Sequence, residues 1–297
     1  MTENGKAPVL QEVGPRDGFQ IVKEFIPTEV KLETIERLVK AGVSKIQITS
    51  FVSPKAIPQM SDATAVAAAC LDRYPESKLF ALVPNLRGAQ SAVDVGLREV
   101  SAVLSLSESH NKANVGKTVA ESVAETRRIR DSYPELRIVQ DIATTFGCPF
   151  EGKMEIPPLL ELLGKLVEIG ISEFTLCDTI GTAHPQQVKE VFSTVKTAFP
   201  DAVFNVHIHD TRNMGMLNTY VAIRCGAVGV QSSLGGLGGC PFAPGASGNV
   251  ATEDLVYMLR EEGVETGVDF ELVLEAAKFL KKRVASNYSG HHVMIGE

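Results

Sequence analysis

The sequence predicts an α/β protein folded as a (β/α)8 barrel, a TIM barrel, with extra C-terminal helices. Eight short apolar, β-branched runs alternate with segments of helical periodicity. The connections are short, and helical runs stop at Gly42, Gly96, Gly170 and Gly226. A doubly wound sheet would also alternate, but no Gly-x-Gly-x-x-Gly follows the first strand. No segment reads as a linker or as low complexity, so residues 1–297 are taken as one domain.

The elements follow in order. Val9-Leu10-Gln11-Glu12-Val13 is the first strand, closed by Gly14-Pro15. Pro27-Thr28-Glu29 opens a helix running through Val30, Ile35, Leu38 and Val39. Lys45–Ser50 and Lys78–Val83 are strands two and three, separated by a helix near Ala63–Leu71. A helix near Leu86–Val95 precedes strand four at Glu99–Leu106, and one long charged helix is expected over Val115–Ser132. Strand five is Arg137–Ala143; helix Pro157–Ile169 leads to strand six at Glu173–Cys177. Helix Pro185–Ala198 leads to strand seven, Ala202–Val206 continuing into two histidines. Helix Leu217–Cys225 leads to strand eight at Gly229–Leu234, and Val250–Glu262 and Phe270–Val284 are closing helices.

Hydrophobic residues make up 44% of the 297 and the net charge is −7. A core of ordinary size is available without staples. The negative balance, with no basic-aromatic stripe, excludes a nucleic-acid surface, and an anionic ligand would need local cations. The five cysteines are scattered with no Cys-x-x-Cys, which suits reduced thiols. Residues 1–8 resemble neither a signal peptide nor a presequence, and no apolar run approaches the roughly 20 residues of a membrane span. A cytoplasmic protein without membrane association is expected.

Function in such barrels sits at the C-terminal ends of the strands. There the sequence places Gly14-Pro15-Arg16-Asp17-Gly18, then Gln47 and Ser50, Gln140-Asp141, Asp178-Thr179, His207-Ile208-His209-Asp210-Thr211, and the loop Gly235-Gly236-Leu237-Gly238-Gly239-Cys240-Pro241. Residues two apart on a strand share a face, so His207 and His209 project together, about 6–7 Å apart along the chain. With Asp17 across the mouth they suit a divalent cation; a pair of hydrogen-bonded histidines is the plain alternative. Asn249 would be a fourth ligand or, more simply, the N-cap of the next helix with help from Glu253. Arg16 suits an enolate or carboxylate, or an ion pair with a neighbouring acid. Cys240 suits a nucleophile or proton donor, or a small packing residue; the other cysteines are read as core.

Glu12–Gly18, Thr49-Ser50-Phe51-Val52-Ser53-Pro54, His207–Thr211 and Gly235–Asp254 together resemble the 3-hydroxy-3-methylglutaryl-CoA lyase family, over residues 9 to about 285. The resemblance implies a metal-dependent barrel that cleaves an acyl-CoA by a retro-Claisen reaction, working as a homodimer. By position it implies Asp17, His207, His209 and Asn249 as ligands of Mg²⁺ or Mn²⁺, reversing the cap reading of Asn249. It implies Arg16 as the enolate stabiliser, Cys240 as the catalytic thiol, and Asp178 and Glu253 as supports of the site. Ser50, Lys23 and Arg212 are candidate substrate contacts, and Lys55 joins Lys23 as a partner for CoA phosphates or as a solvated lysine.

Three positions depart from the family pattern. Phe19-Gln20-Ile21-Val22 stands where Leu-Gln-Asn-Glu is expected, Gln47 where a catalytic glutamate is expected, and Arg212-Asn213-Met214 where Tyr-Gly-Gln is expected. Gln47 and Arg212 make a sister lyase, acting on another branched or dicarboxylic 3-hydroxyacyl-CoA, the main alternative. A condensing synthase or aldolase and a non-catalytic binding barrel rank below it.

Overall fold

The computed structural model describes residues 7–239 and 248–295. Its strands are β1 (Val9–Glu12), β2 (Lys45–Ser50), β3 (Lys78–Val83), β4 (Glu99–Ser105), β5 (Arg137–Ala143), β6 (Gly147–Cys148), β7 (Gly152–Lys153), β8 (Glu173–Asp178), β9 (Val203–Ile208) and β10 (Gly229–Ser232). Its helices are α1 (Thr28–Lys40), α2 (Ala63–Arg73), α3 (Leu86–Asp94), α4 (Glu108–Val115), α5 (Val119–Ser132), α6 (Ile156–Glu168), α7 (Pro185–Ala198), α8 (Gly215–Arg224), α9 (Thr252–Glu261) and α10 (Phe270–Arg283). Eight strands close into a parallel barrel in the order β1-β10-β9-β8-β5-β4-β3-β2. Register at the seam pairs Val9 with Gly229 and Glu12 with Ser232. The expected barrel with extra C-terminal helices is the fold observed.

Two local expectations change. The helix expected over 115–132 starts later, as α5, and a separate helix that the sequence reading did not place, α4, precedes it. Gly116 takes a left-handed conformation (φ 70°), and Thr118 with Glu121 forms a capping box that starts α5 afresh. The sequence reading also missed the β6–β7 hairpin over the mouth after β5. Glu151 ties it to α4 by accepting the Ser109 amide at 2.8 Å.

The apolar core lies between barrel and helices. In α6, Leu159, Leu162, Leu163 and Leu166 repeat at helical spacing and are all buried. Outward-facing Phe174 and Phe204 on adjacent strands stack at 5.7 Å and belong to the same core. Among the described residues no helix is long and apolar enough to cross a membrane.

The barrel interior is polar. At its N-terminal end Lys45 Nζ lies 2.6 Å from Glu99 and 3.6 Å from Glu173. Arg137 pairs with both acids, and Asn205 donates to Glu173 at 2.9 Å. Lys45 and Glu173 are buried and Glu99 nearly so, while Arg137 reaches solvent, and the buried charges depend on their partners. Lys45→Met should therefore cost up to about 3–5 kcal/mol, because it leaves the exposed Arg137 guanidinium to balance both carboxylates. A thermal or denaturant melt checks this, and a midpoint equal to the unaltered chain's would show that the cluster is not load-sharing.

Candidate metal centre

After β1 the chain makes one wide helical turn, Gly14–Gly18, with every residue buried. Glu12 holds it: Oε1 accepts the Gly14 amide at 2.6 Å and the Leu234 amide at 3.0 Å, and Oε2 accepts the Thr252 hydroxyl at 2.6 Å. The turn aims Arg16 and Asp17 into the mouth, hydrogen-bonded to each other. Arg16 Nε also donates to Gln47 Oε1 at 2.5 Å, and Gln20 donates to Asp17 at 3.0 Å.

From the opposite side β9 delivers the histidines. Their Nε2 atoms are 3.0 Å apart, and the candidate ligand atoms of Asp17, His207 and His209 all lie within 4.8 Å of one another. Gln231 lies toward Gln11, its Nε2 donating to Gln11 Oε1 at 3.4 Å, so its Oε1 accepts from His207 Nδ1 at 2.9 Å. The proton of His207 is thus on Nδ1, and the lone pair of Nε2 faces Asp17 and His209. Burial lowers the pKa of both imidazoles, His207 to about 3, which favours their neutral forms. Burial would raise Asp17, but the Arg16 guanidinium, the two histidines and the Asn249 hydrogen bond together outweigh it and hold the carboxyl at about 2.

Asn249 does not cap the following helix: α9 begins at Thr252 with Ala251 as its N-cap. Instead its Nδ2 donates to Asp17 at 2.8 Å and to the Leu237 carbonyl at 2.9 Å. That leaves Oδ1 buried without a partner, as is His209 Nδ1. A carboxylate, an imidazole lone pair and an orphaned amide oxygen converge, which is a donor set that fits a divalent cation. Gly238 (φ 127°) passes so close that a side chain there would meet Asn249 and the Asp17 carboxylate.

A cavity of about 420 Å³ opens over this cluster. Arg16, Asp17, Asp141, Cys177, His207, His209 and Gln231 line its strand side, and Ser53, Asn85, Asn114 and Lys117 line its loop side. Several expected contacts lie elsewhere. Ser50 Oγ is buried and unpartnered outside the lining, because a bulge between Gln47 and Thr49 shifts the end of β2. Lys23 and Lys55 are exposed and outside the lining, although Ser53 and Ala56 on either side of Lys55 belong to it. Arg212 is exposed and donates to the Ile180 and Gly181 carbonyls at 3.1 and 3.0 Å, so its cation serves the loop after β8. Cys240 lies outside the described residues.

Asp178 and Glu253 are buried behind the cavity. Asp178 accepts the Thr182 and Ala183 amides at 2.9 and 3.0 Å, shaping the loop beside His209. Glu253 accepts the Gly235 amide at 2.9 Å and so anchors the glycine-rich loop. Both act through backbone. Asp141 and Gln231 line the cavity but were given no role from sequence; two-residue alternation with the inward positions of β5 and β10 was the available signal. His110, whose Nδ1 lies 2.6 Å from Ser105 Oγ, also lines the cavity, and its loop position gave no signal.

The HMGL-like family model matches residues 7–280. The chain belongs to the HMG-CoA lyase family. It is 39% identical to hydroxymethylglutaryl-CoA lyase YngG of Bacillus subtilis over 292 residues, 98% of this chain and 97% of that protein. It is 42% identical to the mitochondrial hydroxymethylglutaryl-CoA lyase of Macaca fascicularis, over 91% of this chain and 84% of that one. An HMG-CoA lyase from Acinetobacter baumannii, solved with coenzyme A and 3-methylmalate, superposes with a TM-score of 0.94 at 39% identity, covering 100% of this chain and 97% of that one.

Burial pushes the Glu253 carboxyl from 4.5 up to about 8. A carboxyl that binds its proton more tightly when folded contributes stability below its unfolded pKa, and that contribution is lost as pH rises through the folded value. The melting-temperature difference between Glu253→Gln and the unaltered chain should therefore shift in favour of the glutamine variant between pH 5 and pH 9. A difference independent of pH would show that Glu253 carries no buried proton.

Proposed function

We propose that this chain is a divalent-metal-dependent carbon–carbon lyase that cleaves 3-hydroxy-3-methylglutaryl-CoA to acetyl-CoA and acetoacetate. The observation that carries the reading is the Asp17–His207–His209 cluster with the orphaned Asn249 Oδ1, set in the wall of a cavity also lined by Arg16. Asp17, His207, His209 and Asn249 would hold Mg²⁺ or Mn²⁺. When bound, the ion lowers the pKa of the substrate's tertiary hydroxyl and fixes its orientation.

The residues of the chain supply the rest. Gln231 keeps the His207 proton on Nδ1 and so keeps Nε2 available. Cleavage sends the electron pair of the broken bond to C2 of the departing acetyl unit. Arg16, buried and fixed by Gln47 and Asp17, presents a guanidinium to that enolate. We assign protonation of the enolate to Cys240 from the family resemblance. Lys117, paired with Glu125 at 3.0 Å on the loop side, is the lining cation that suits the phosphates of CoA.

Gln47 in place of a carboxylate favours one second reading, a sister lyase for another 3-hydroxyacyl-CoA. We read the working unit as a cytoplasmic homodimer; family membership supports the dimer, and the buried free thiols Cys70, Cys148 and Cys177 suit a reducing compartment.

Purified protein with Mg²⁺ and a panel of branched and dicarboxylic 3-hydroxyacyl-CoAs should release acetyl-CoA from hydroxymethylglutaryl-CoA. Release from another panel member alone selects the sister lyase, and release from none overturns both. His207→Ala should lose its metal by elemental analysis while keeping its circular dichroism, with turnover falling about 100-fold or more. Cys240→Ala should collapse turnover with metal content unchanged; full activity in that variant would remove the thiol from the reaction.

A further inference from the structure

Two carboxylates line the cavity among the described residues, Asp17 and Asp141. Asp17 is committed to Arg16, Gln20 and Asn249. Asp141, on β5, is 4% exposed, and its Oδ1 has no hydrogen-bond partner. A buried acceptor left unmatched is costly unless a ligand brings a donor to it.

The neighbouring polar groups leave that oxygen unfilled. Arg16 donates to Gln47 Oε1, and Gln47 Nε2 donates to Ser101 Oγ at 2.7 Å. With its oxygen accepting from Gln47, the Ser101 hydroxyl is left to turn its hydrogen toward Asp141, and the Thr175 hydroxyl also stands beside the carboxylate. Gln47 is thereby engaged at both ends and, as an amide, takes no proton at neutral pH. Burial drives the Cys177 thiol well above its ordinary pKa, so it stays protonated, and the two imidazoles are turned toward Asp17.

The chemistry of the substrate decides what Asp141 meets. Around the reacting carbons of a 3-hydroxyacyl-CoA, the thioester carbonyl and the distal carboxylate only accept hydrogen bonds. The 3-hydroxyl is the one donor. We propose that Asp141 is the catalytic base of this enzyme, its free Oδ1 receiving the proton of the substrate's 3-hydroxyl. This rests on the lyase reading above. The O–H pair becomes the second bond of the new ketone, the C2–C3 bond breaks, and its electrons pass to C2 as the enolate that Arg16 faces. One proton leaves oxygen and one is added at C2, so the reaction is balanced without a further reactant. Burial also lifts the Asp141 carboxyl to about 6, against the Arg16 charge and the two hydroxyls, which brings it near neutrality as proton transfer requires.

Asp141→Asn keeps the shape and removes the base; Asp141→Ala removes the base and leaves room for a small carboxylate. Both are assayed for hydroxymethylglutaryl-CoA cleavage beside the unaltered chain, with CoA affinity by calorimetry and bound metal by elemental analysis. The expected result is a kcat about 10²–10⁴-fold lower in both variants, with CoA affinity and metal content unchanged. Added formate should restore turnover to Asp141→Ala in a saturable manner and leave Asp141→Asn unaffected. The inference is overturned if Asp141→Asn keeps more than a tenth of kcat, or if formate restores nothing to Asp141→Ala. Should the unaltered chain cleave no member of the panel, the lyase reading falls and this one with it, an outcome the same assay separates from the others.

Discussion

The buried ion pair of Arg16 and Asp17 is the constraint around which the mouth of this barrel is built. Adjacent in sequence and both shielded from water, the two charges require partners on every side. The partners come from across the chain: Gln47 from β2 on the guanidinium, and Gln20 and Asn249 on the carboxylate. Glu12, at the base of the turn, ties that turn to the amide of Leu234 and the hydroxyl of Thr252. The glycine-rich loop, the start of α9 and the end of β1 thus share one set of hydrogen bonds. Displacement of any of them would leave a buried charge unmatched.

The two ends of the barrel interior differ in balance. At the N-terminal end two cations meet two carboxylates, and the set closes on itself. At the C-terminal end two acceptors in or beside the cavity, Asn249 Oδ1 and Asp141 Oδ1, are buried without partners. A closed set serves stability, and a surplus of lone pairs draws a cation and a hydroxyl donor. The division agrees with the general placement of function at the C-terminal ends of barrel strands.

Much of this was legible in the sequence because strand alternation and helix stops are local signals. Lys45–Ser50, Lys78–Val83 and Arg137–Ala143 were bounded correctly by apolar runs between charged or small residues, and Pro185 with Ala198 bounded α7. His207 and His209 followed from the two-residue period, and Asp17 from its place after β1. The break at Gly116 was missed because the charged residues around it suit a helix on either side, and only the Thr118–Glu121 capping box marks the restart. Ser50, Lys23 and Arg212 fall outside the cavity lining for one reason: rim position fixes where a Cα lies and leaves side-chain direction open. The bulge in β2 and the carbonyls that Arg212 meets are long-range facts. Asn249 needed the tertiary fold as well, because the same asparagine before a helical run reads equally as a cap.

Gln47 bears on how Arg16 would act. An arginine between two carboxylates has its charge largely offset and offers little to a third anion. Of the two side chains hydrogen-bonded to Arg16, one, Asp17, is charged and the other, Gln47, is a neutral amide that fixes the guanidinium through Nε, with Asp141 as a further carboxylate within its field. Position is retained while net positive potential on the cavity side increases. Electrostatic stabilisation of an enolate depends on both features, a donor held in place before charge develops and a charge not already spent on its neighbours. The amide therefore does more than occupy the place of an acid: it leaves Arg16 oriented and electrically available in a chain whose overall charge of −7 otherwise works against anions.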